Sequence, residues 1–303
     1  MPDDPRDVLH DKGLRDKEIA HTTTATPADL PGGLSRVPLL AVERLVKNFG
    51  PVTAVDDVSL ELYEGEVLGL VGDNGAGKST FLSLLTGYYH ADGGTFRYRG
   101  KPVAHTSPAT SRKNLKIEMI YQHLDLSPDL TVWQNLFLAE EQRRFKIFLD
   151  KRYMIRRAAE VLTELASKIK PNDLVGALSG GEQQVVAIAR ALLFERDIIL
   201  MDEPTAAISL NKVRDVLDLI IKLKGLGKSV ILVSHRLEDI LEVSDRIAIL
   251  NRGTISHVLT NDHRMTITDL AQLMFEGSVQ RATSVASNGK LPETAAKPEA
   301  AAR

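Results

Sequence analysis

Four short runs along the middle of the chain consist of apolar residues and glycine, with no polar position between them. They span residues 67–71, 198–201, 230–233 and 247–250. Strands that are apolar on both faces are typical of a parallel sheet covered by helices, because neither face is left for water. The pattern therefore predicts a buried, mainly parallel sheet.

Two segments near the amino end show a different pattern. Residues 39–46 and 58–62 are more amphipathic, which favours an antiparallel section. After the last apolar run, Asn251-Arg252-Gly253 has the residues of a tight hairpin turn. The core shows no internal repeat. The chain is therefore predicted to fold as one α/β core with an antiparallel β subdomain.

A helical segment interrupts this α/β pattern. Residues 129–170 are helical by pattern. Thr131 can cap the first helix, and Gln134, three residues later, can reach back to the cap. We place a helical insertion at about residues 123–180.

The two ends of the chain differ from its middle. Residues 1–37 mix charged residues, proline and threonine, whereas residues 278–303 are mostly Ala, Ser, Pro, Lys and Glu. Segments with so little to bury stay disordered, so we expect the folded domain over residues 38–277. The amino end lacks the apolar segment of a secretory signal, which favours a cytoplasmic location.

Length and composition exclude several classes of protein. The chain has 303 residues, 43% of them hydrophobic, which suffices for a large core. Lys and Arg total 38 against 40 Asp and Glu, so no overall positive charge exists to hold nucleic acid. No cysteine is present, which excludes disulfides and thiolate chemistry. No apolar run approaches the roughly 18 residues that a membrane-spanning helix needs.

A glycine-rich segment follows the first apolar run and precedes an apolar helix start. Its spacing, G-x-x-x-x-G-K-S, is that of a phosphate-binding loop between a strand and a helix. Glycines let the backbone wrap closely around an anion, and the helix amino terminus adds partial positive charge. Lys78 is expected to neutralise the β and γ phosphates and Ser79 to ligate Mg²⁺. The residues assigned to the nucleotide are Gly72, Asn74, Gly75, Ala76, Gly77, Lys78, Ser79 and Thr80.

Polar residues directly follow three predicted strands, whose ends share one edge of the sheet. Asp202 is expected to hold Mg²⁺ and Glu203 to take a proton from the attacking water, although such a pair alone also suits a helix cap. His235 could touch the γ phosphate, although a histidine at a strand end is usually structural. Gln122, after the strand predicted at residues 117–121, is a candidate contact for Mg²⁺ or that water.

A second glycine-containing motif opens another predicted helix. Ser179, Gly180, Gly181 and Glu182 precede the helical residues 184–194. A serine and two glycines at a helix start can bind an anion through free N–H groups and a hydroxyl. Taken alone this motif is weak evidence, because short glycine pairs are common.

The motifs occur in the order found in the ATP-binding subunits of ABC transporters, which the chain resembles over about residues 38–277. The resemblance implies a P-loop NTPase of the ABC type, with a RecA-like core, that hydrolyses ATP with Mg²⁺. The finer likeness is to the ATPases of ribose, xylose and fructose importers. It is carried by residues 72–80, 135–139, 202–207 and 273–277.

Two positions depart from the family pattern. Where the family commonly has an aspartate that helps couple two active sites, this chain has Ser209. The family's adenine-stacking aromatic residue is usually tyrosine, and our candidate for it is Phe49. Stacking needs only the ring, so the missing hydroxyl does not exclude the role. Ordinary packing of Phe49 is the alternative.

The resemblance also implies partners. In the related proteins the signature motif lies far from its own phosphate loop, so a second copy has to place Ser179 and Gly181 against the γ phosphate on Lys78. A homodimer is the economical arrangement, with a different ATPase subunit as the alternative. Transport requires separate permease subunits and, indirectly, a periplasmic-type solute-binding protein. The chain would then lie on the inner face of the cell membrane.

Other functions and contacts stay open at this point. The alternatives to a monosaccharide importer are an ABC ATPase for another solute and a nucleotide-dependent clamp outside transport. The cluster Arg143-Arg144-Phe145-Lys146 suits lipid headgroups, a permease or solvent. Apolar residues of the insertion suit either a permease groove or the insertion's own core; they are Leu124, Leu126, Val132, Trp133, Leu136 and Phe137.

Overall fold

The computed structural model describes residues 37–104, 107–122, 124–144, 147–206 and 210–276. The predictions for the two ends of the chain, apart from residue 37, and for Ser209 concern residues outside these ranges.

Two main sheets and a set of helices make up the fold. The strands are β1 (Leu40–Phe49), β2 (Val52–Leu62), β3 (Val67–Val71), β4 (Gly93–Tyr98), β5 (Lys101–Pro102), β6 (Ile117–Ile120), β7 (Arg143–Arg144), β8 (Phe148–Leu149), β9 (Ile198–Asp202), β10 (Ser229–Val233), β11 (Arg246–Asn251) and β12 (Thr254–Thr260). The helices are α1 (Lys78–Thr86), α2 (Pro108–Thr110), α3 (Val132–Phe137), α4 (Lys151–Glu164), α5 (Gly180–Leu193), α6 (Leu210–Gly225) and α7 (Leu237–Val243). Short π-helical and 3₁₀ segments occupy Ser111–Leu115 and Val175–Ala177, and a final helix covers residues 267–276.

The larger sheet has the strand order β12-β11-β3-β10-β9-β6. All neighbouring strands in it run parallel except β11 and β12. Each of the four unbroken apolar runs lies in one of these strands, so the predicted parallel sheet is confirmed. Successive residues of a strand point to opposite faces, and both faces are covered. Val67 and Val71 join one hydrophobic core, whereas Leu68 and Leu70 join the other.

The smaller main sheet is antiparallel, with the order β2-β1-β4-β5. Its strands β1 and β2 contain the two amphipathic segments, and they pair directly, with Leu40 opposite Leu62. The predicted hairpin turn joins β11 to β12, where Asn251 pairs with Thr254. Arg252 and Gly253 between them have φ values of 45° and 85°. Two left-handed residues match the right-handed twist of the strands that they connect.

Helices α3 and α4 fill the region where the sequence predicts an insertion. At the start of α3 the Thr131 N–H donates to Gln134 Oε1 at 2.9 Å, which is the predicted reach-back. A two-stranded hairpin, β7–β8, lies between the two helices. The sequence pattern, which is helical over this region, does not predict it.

The apolar residues of the insertion are part of the large core on one face of the parallel sheet. Val132, Trp133, Leu136 and Phe137 are buried there, and Leu124 and Leu126 pack against that core. The structure therefore favours the core interpretation. Because the four residues of α3 are buried, the prediction that they line a permease groove is wrong.

One buried carboxylate ties β6 to α5. Glu118 is 3% exposed, and its carboxylate lies 3.1 Å from Arg190 Nη2 and 3.4 Å from Arg196 Nε. Arg196 also reaches Glu140 of the insertion, at 2.5 Å. Because both arginines are mostly buried, Arg190 depends on Glu118 to balance its charge, whereas Arg196 is shared between Glu118 and Glu140.

Replacing Glu118 should therefore destabilise the fold. We expect Glu118→Gln to lower the free energy of unfolding by about 3 kcal/mol, because the largely buried guanidinium group of Arg190 loses its counter-charge and that of Arg196 loses one of two. Urea unfolding measures this loss. As a matched control, Glu164→Gln on the exposed face of α4 should change stability by less than about 0.5 kcal/mol. Equal effects of the two substitutions would refute the role given to the buried carboxylate.

Candidate nucleotide site

A cavity of about 520 Å³ opens at the carboxyl-end edge of the parallel sheet. Its wall brings together five residues that the sequence analysis assigned to one site, namely Lys78, Ser79, Gln122, Asp202 and Glu203. They come from α1 after β3, from the segment after β6, and from the end of β9 with the residue that follows it. The topology produces this meeting, since parallel strands end at the same edge.

The phosphate loop forms one wall, and its glycines are required by close contacts. A Cβ at Gly72 would lie 2.1 Å from the Leu250 carbonyl oxygen, and one at Gly77 would lie 2.4 Å from that of Ala54. Gly77 has φ 105° and ends the loop where α1 begins. No side chain caps this helix. The first N–H groups of α1 are therefore left for an anion.

Lys78 lies across the loop that precedes it. Its ammonium donates to the carbonyl oxygens of Gly72, at 2.5 Å, and Asp73, at 3.0 Å. Burial lowers the pKa of Lys78 below its ordinary value, and the nearby charges of Glu203 and Asp202 oppose that shift. A phosphate in the cavity would act in the same sense as these carboxylates and favour the charged ammonium.

Ser79 and Asp202 form a pair suited to a hard cation. Ser79 Oγ donates to Asp202 Oδ2 at 3.4 Å. Burial and the charge of Glu203 raise the pKa of Asp202 above its ordinary value. In the part of the chain that the structure describes, no group of three or more His, Cys, Asp or Glu side chains could hold a metal. The pair fits Mg²⁺, which binds one or two carboxylates together with substrate phosphates.

Glu203 and His235 are in direct contact. Glu203 Oε2 lies 2.5 Å from His235 Nδ1 and accepts the His235 backbone N–H at 3.2 Å. The Glu203 side chain is largely buried, whereas His235 is 64% exposed. His235 is not part of the cavity wall, and its side chain contacts the Glu203 carboxylate instead. Its predicted contact with the γ phosphate stays a prediction.

Phe49 lies outside the cavity wall. It is 42% exposed and meets Tyr89 edge to face, with 5.0 Å between ring centroids. The neighbouring Val52 and Thr53 line the cavity instead. The structure thus places the β1–β2 turn beside the cavity but gives Phe49 a packing partner of its own. Its role under the adenine stays a prediction.

Ser179 and Glu182 cap α5 and do not line this cavity. Glu182 Oε2 accepts the Ser179 N–H at 2.9 Å and the Ser179 hydroxyl at 2.7 Å. The hydrogen bond from the Ser179 backbone N–H, followed by the smaller effect of the hydrogen bond from its hydroxyl, holds the pKa of Glu182 below its usual range. Among the described residues, none lies within 4 Å of where a Cβ would stand on Gly180 or Gly181. The motif thus lies outside the wall of its own chain's cavity, and its role at a partner's nucleotide stays a prediction.

The sequence analysis missed the contribution of the β11–β12 turn. Arg252 and Gly253 both line the cavity. The Gly253 N–H donates to the Ala76 carbonyl at 2.8 Å, and its own carbonyl accepts the Asp56 N–H at 2.8 Å. The hairpin itself was predictable, but its place beside the loop follows from the pairing of β11 with β3, which no spacing reveals.

Comparison with known proteins places this geometry in a family. The sequence profile described as "ABC transporter" matches residues 55–206. The chain is 46% identical over 218 residues to the xylose/arabinose import ATP-binding protein of Sulfolobus acidocaldarius, covering 72% of this chain and 86% of that protein. The chain belongs to the ABC transporter family. It is an ABC ATPase by its fold and its phosphate loop.

Two further relatives of this ABC ATPase carry similar names. The fructose import ATP-binding protein of Rhizobium meliloti is 39% identical over 249 residues, covering 80% of this chain and 95% of that protein. The ribose import ATP-binding protein of Caldanaerobacter subterraneus is 40% identical over 231 residues and matches 74% of this chain. The match covers only 46% of that longer relative.

Solved ATP-binding cassettes share the fold. One from an ABC transporter in its ADP conformation has a TM-score of 0.70 and 26% identity, covering 80% of this chain and 98% of that one. A second, described as a dimeric post-hydrolysis state bound to ADP and Pi, has a TM-score of 0.61 and 27% identity, covering 73% of this chain and 98% of that one.

Removing the charge of Arg252 should weaken nucleotide binding. We expect Arg252→Asn to reduce ATP affinity about three- to tenfold, roughly 1 kcal/mol, because a partly screened cation leaves the wall of a phosphate cavity. Asparagine preserves the turn, since it tolerates left-handed backbone next to glycine. Titration with a fluorescent ATP analogue measures the change. The exposed Arg264→Asn serves as control, and unchanged affinity in both variants would contradict this assignment.

Proposed function

We propose that this ABC ATPase powers a sugar importer, most specifically one for a monosaccharide. The observation that carries the ATPase part is the cavity in which Lys78, Ser79, Asp202 and Glu203 meet. The solute class is supported by the relatives, whose names specify import of xylose and arabinose, fructose, and ribose.

The residues of the cavity suit hydrolysis as well as binding. The loop amides and Lys78 bind the phosphates, and Ser79 with Asp202 holds Mg²⁺. Bound Mg²⁺ neutralises phosphate charge. Glu203 accepts a proton from the attacking water, and His235 keeps its carboxylate oriented. Gln122, at the junction with the insertion, contacts the water or the metal and senses the terminal phosphate.

The working unit is a homodimer with its sites at the interface. Support comes from the position of Ser179, which caps α5 away from the cavity of its own chain, and from the dimeric state of a related cassette. Each copy supplies a phosphate loop to one nucleotide and a signature motif to the other, which makes the contact isologous. ATP then favours the closed pair, and loss of the terminal phosphate releases it.

The membrane part of the transporter is a separate permease. Among the described residues no helix is both long and apolar enough to cross a bilayer. The relatives of this ATPase are named as import ATP-binding proteins, which supports placing the ATPase on the inner face of the membrane against permease subunits, with a solute-binding protein that delivers the sugar from outside.

Inactivating the proposed base tests both halves of this function. Purified Glu203→Gln should hydrolyse ATP at least about 100-fold more slowly, as expected when a general base is lost. In the source cell the same substitution should abolish uptake of one radiolabelled sugar among xylose, arabinose, ribose and fructose. The control is Glu238→Gln, an exposed residue of α7, which should leave both readouts unchanged. Normal uptake of all four sugars together with lost hydrolysis would reject the solute and keep the ATPase.

The shared sites predict complementation between two inactive chains. Lys78→Ala and Ser179→Ala should each be nearly inactive alone. Mixed, they should recover about a quarter of wild-type turnover, because half of the dimers are mixed and each of those has one intact site. A chain with both substitutions, mixed with wild type, provides no intact site in the mixed dimers. Steady-state ATPase rates measure this, and failure of the single variants to complement would contradict the head-to-tail arrangement.

A further inference from the structure

We infer that the β7–β8 hairpin of the insertion is a membrane-contact surface that binds anionic lipid directly. We call this surface the hairpin patch, and it consists of Arg143, Arg144, Ile147, Phe148 and Leu149. The inference goes beyond the proposed function, which attaches the ATPase to the membrane only through a permease.

The first observation is exposure of consecutive apolar side chains. Ile147 is 73% exposed, Phe148 69% and Leu149 55%. Single exposed apolar residues are normal on a protein surface, whereas a contiguous group of large ones marks an interaction site. These three side chains do not belong to either hydrophobic core of the described residues, so packing in the core does not explain why they are apolar.

The second observation is the arrangement of charge around these side chains. In the hairpin Arg143 pairs with Leu149 and Arg144 with Phe148. Directly opposed residues share a face, and successive residues alternate, so each face of the hairpin carries one guanidinium beside one large apolar side chain. Both arginines are exposed. Exposed Lys151 and Arg152 follow at the start of α4 and extend the positive region.

The single acidic residue between the hairpin and α4 has another role. Asp150 accepts the Tyr153 N–H at 3.0 Å as the N-cap of α4 and is only partly exposed. Its carboxylate is directed to the helix amino terminus, where negative charge is favoured. Before the hairpin, exposed Glu141 accepts the Ala139 N–H at 3.4 Å. The hairpin and the start of α4 themselves present positive and apolar side chains together.

A lipid surface fits this chemistry better than a shaped protein pocket. Since both faces are exposed, the hairpin is a projection rather than the wall of a groove. Aromatic and aliphatic side chains can enter the boundary between headgroups and acyl chains, while guanidinium groups stay at the phosphates. Basic residues next to a membrane are attracted to its anionic lipids, and salt screens that attraction. The charge of the patch thus selects anionic over neutral bilayers.

Vesicle flotation of the full chain tests the inference. The protein should float with phosphatidylcholine vesicles that contain about 30% phosphatidylglycerol and not with phosphatidylcholine alone, and added salt should weaken binding. Two double variants remove the two components separately, namely Ile147→Ser with Phe148→Ser, and Arg143→Ser with Arg144→Ser. Each should lower the partition coefficient by about tenfold or more.

Matched controls separate this patch from general surface effects. Phe275→Ser replaces a phenylalanine that is 70% exposed elsewhere, and Arg264→Ser replaces an arginine whose side chain is 90% exposed. Both should bind vesicles as wild type does. Every variant should keep basal ATPase activity in solution, which shows that it is folded and leaves the proposed function untouched.

Three results would overturn the inference. One is equal vesicle binding by wild type and both double variants. Another is binding that does not distinguish anionic from neutral vesicles. The third is no binding to protein-free vesicles together with hairpin-dependent binding to membranes that contain the permease. That result would make the patch a protein-docking surface.

Discussion

The nucleotide cavity depends on main-chain contacts between the phosphate loop and two neighbouring segments. The Gly253 N–H holds the Ala76 carbonyl at 2.8 Å, and Gly77 approaches the Ala54 carbonyl where a Cβ would lie 2.4 Å away. Ala54 belongs to the antiparallel sheet and Gly253 to the hairpin of the parallel sheet. Contacts with both sheets therefore help to set the conformation of the phosphate loop. The loop sequence alone does not determine that conformation.

Burial acts in opposite directions on the pKa values of two charged groups in the cavity. It lowers the pKa of Lys78 and raises that of Asp202, so burial disfavours the charged form of each. A phosphate beside the lysine and a cation beside the aspartate reverse both penalties together. The two groups would therefore favour a phosphate and a cation in the same cavity, which supports the proposed Mg²⁺ site.

Strands and cavity residues were predictable because their signals are local or follow from one topological rule. Unbroken apolar runs predict buried parallel strands, and the polar residues after them predict a common edge. The turn at Arg252 was equally visible, but its neighbour in space was not. The β7–β8 hairpin escaped because it has two residues in each strand, too few for any periodicity. Phe49 shows the opposite case, since an aromatic residue at a strand end indicates neither a ligand nor Tyr89 as its partner.

The Glu118 cluster limits how this sequence can change over time. A neutral residue at position 118 would remove the carboxylate partner of Arg190 and leave Arg196 with Glu140, whereas replacing all three residues by apolar ones of similar volume removes the largely buried charges. A single substitution in the cluster therefore lowers stability, whereas simultaneous replacement of all three residues is tolerated. Homologous chains should accordingly keep or lose these three ions as a set, and the trio should appear as covarying columns in an alignment.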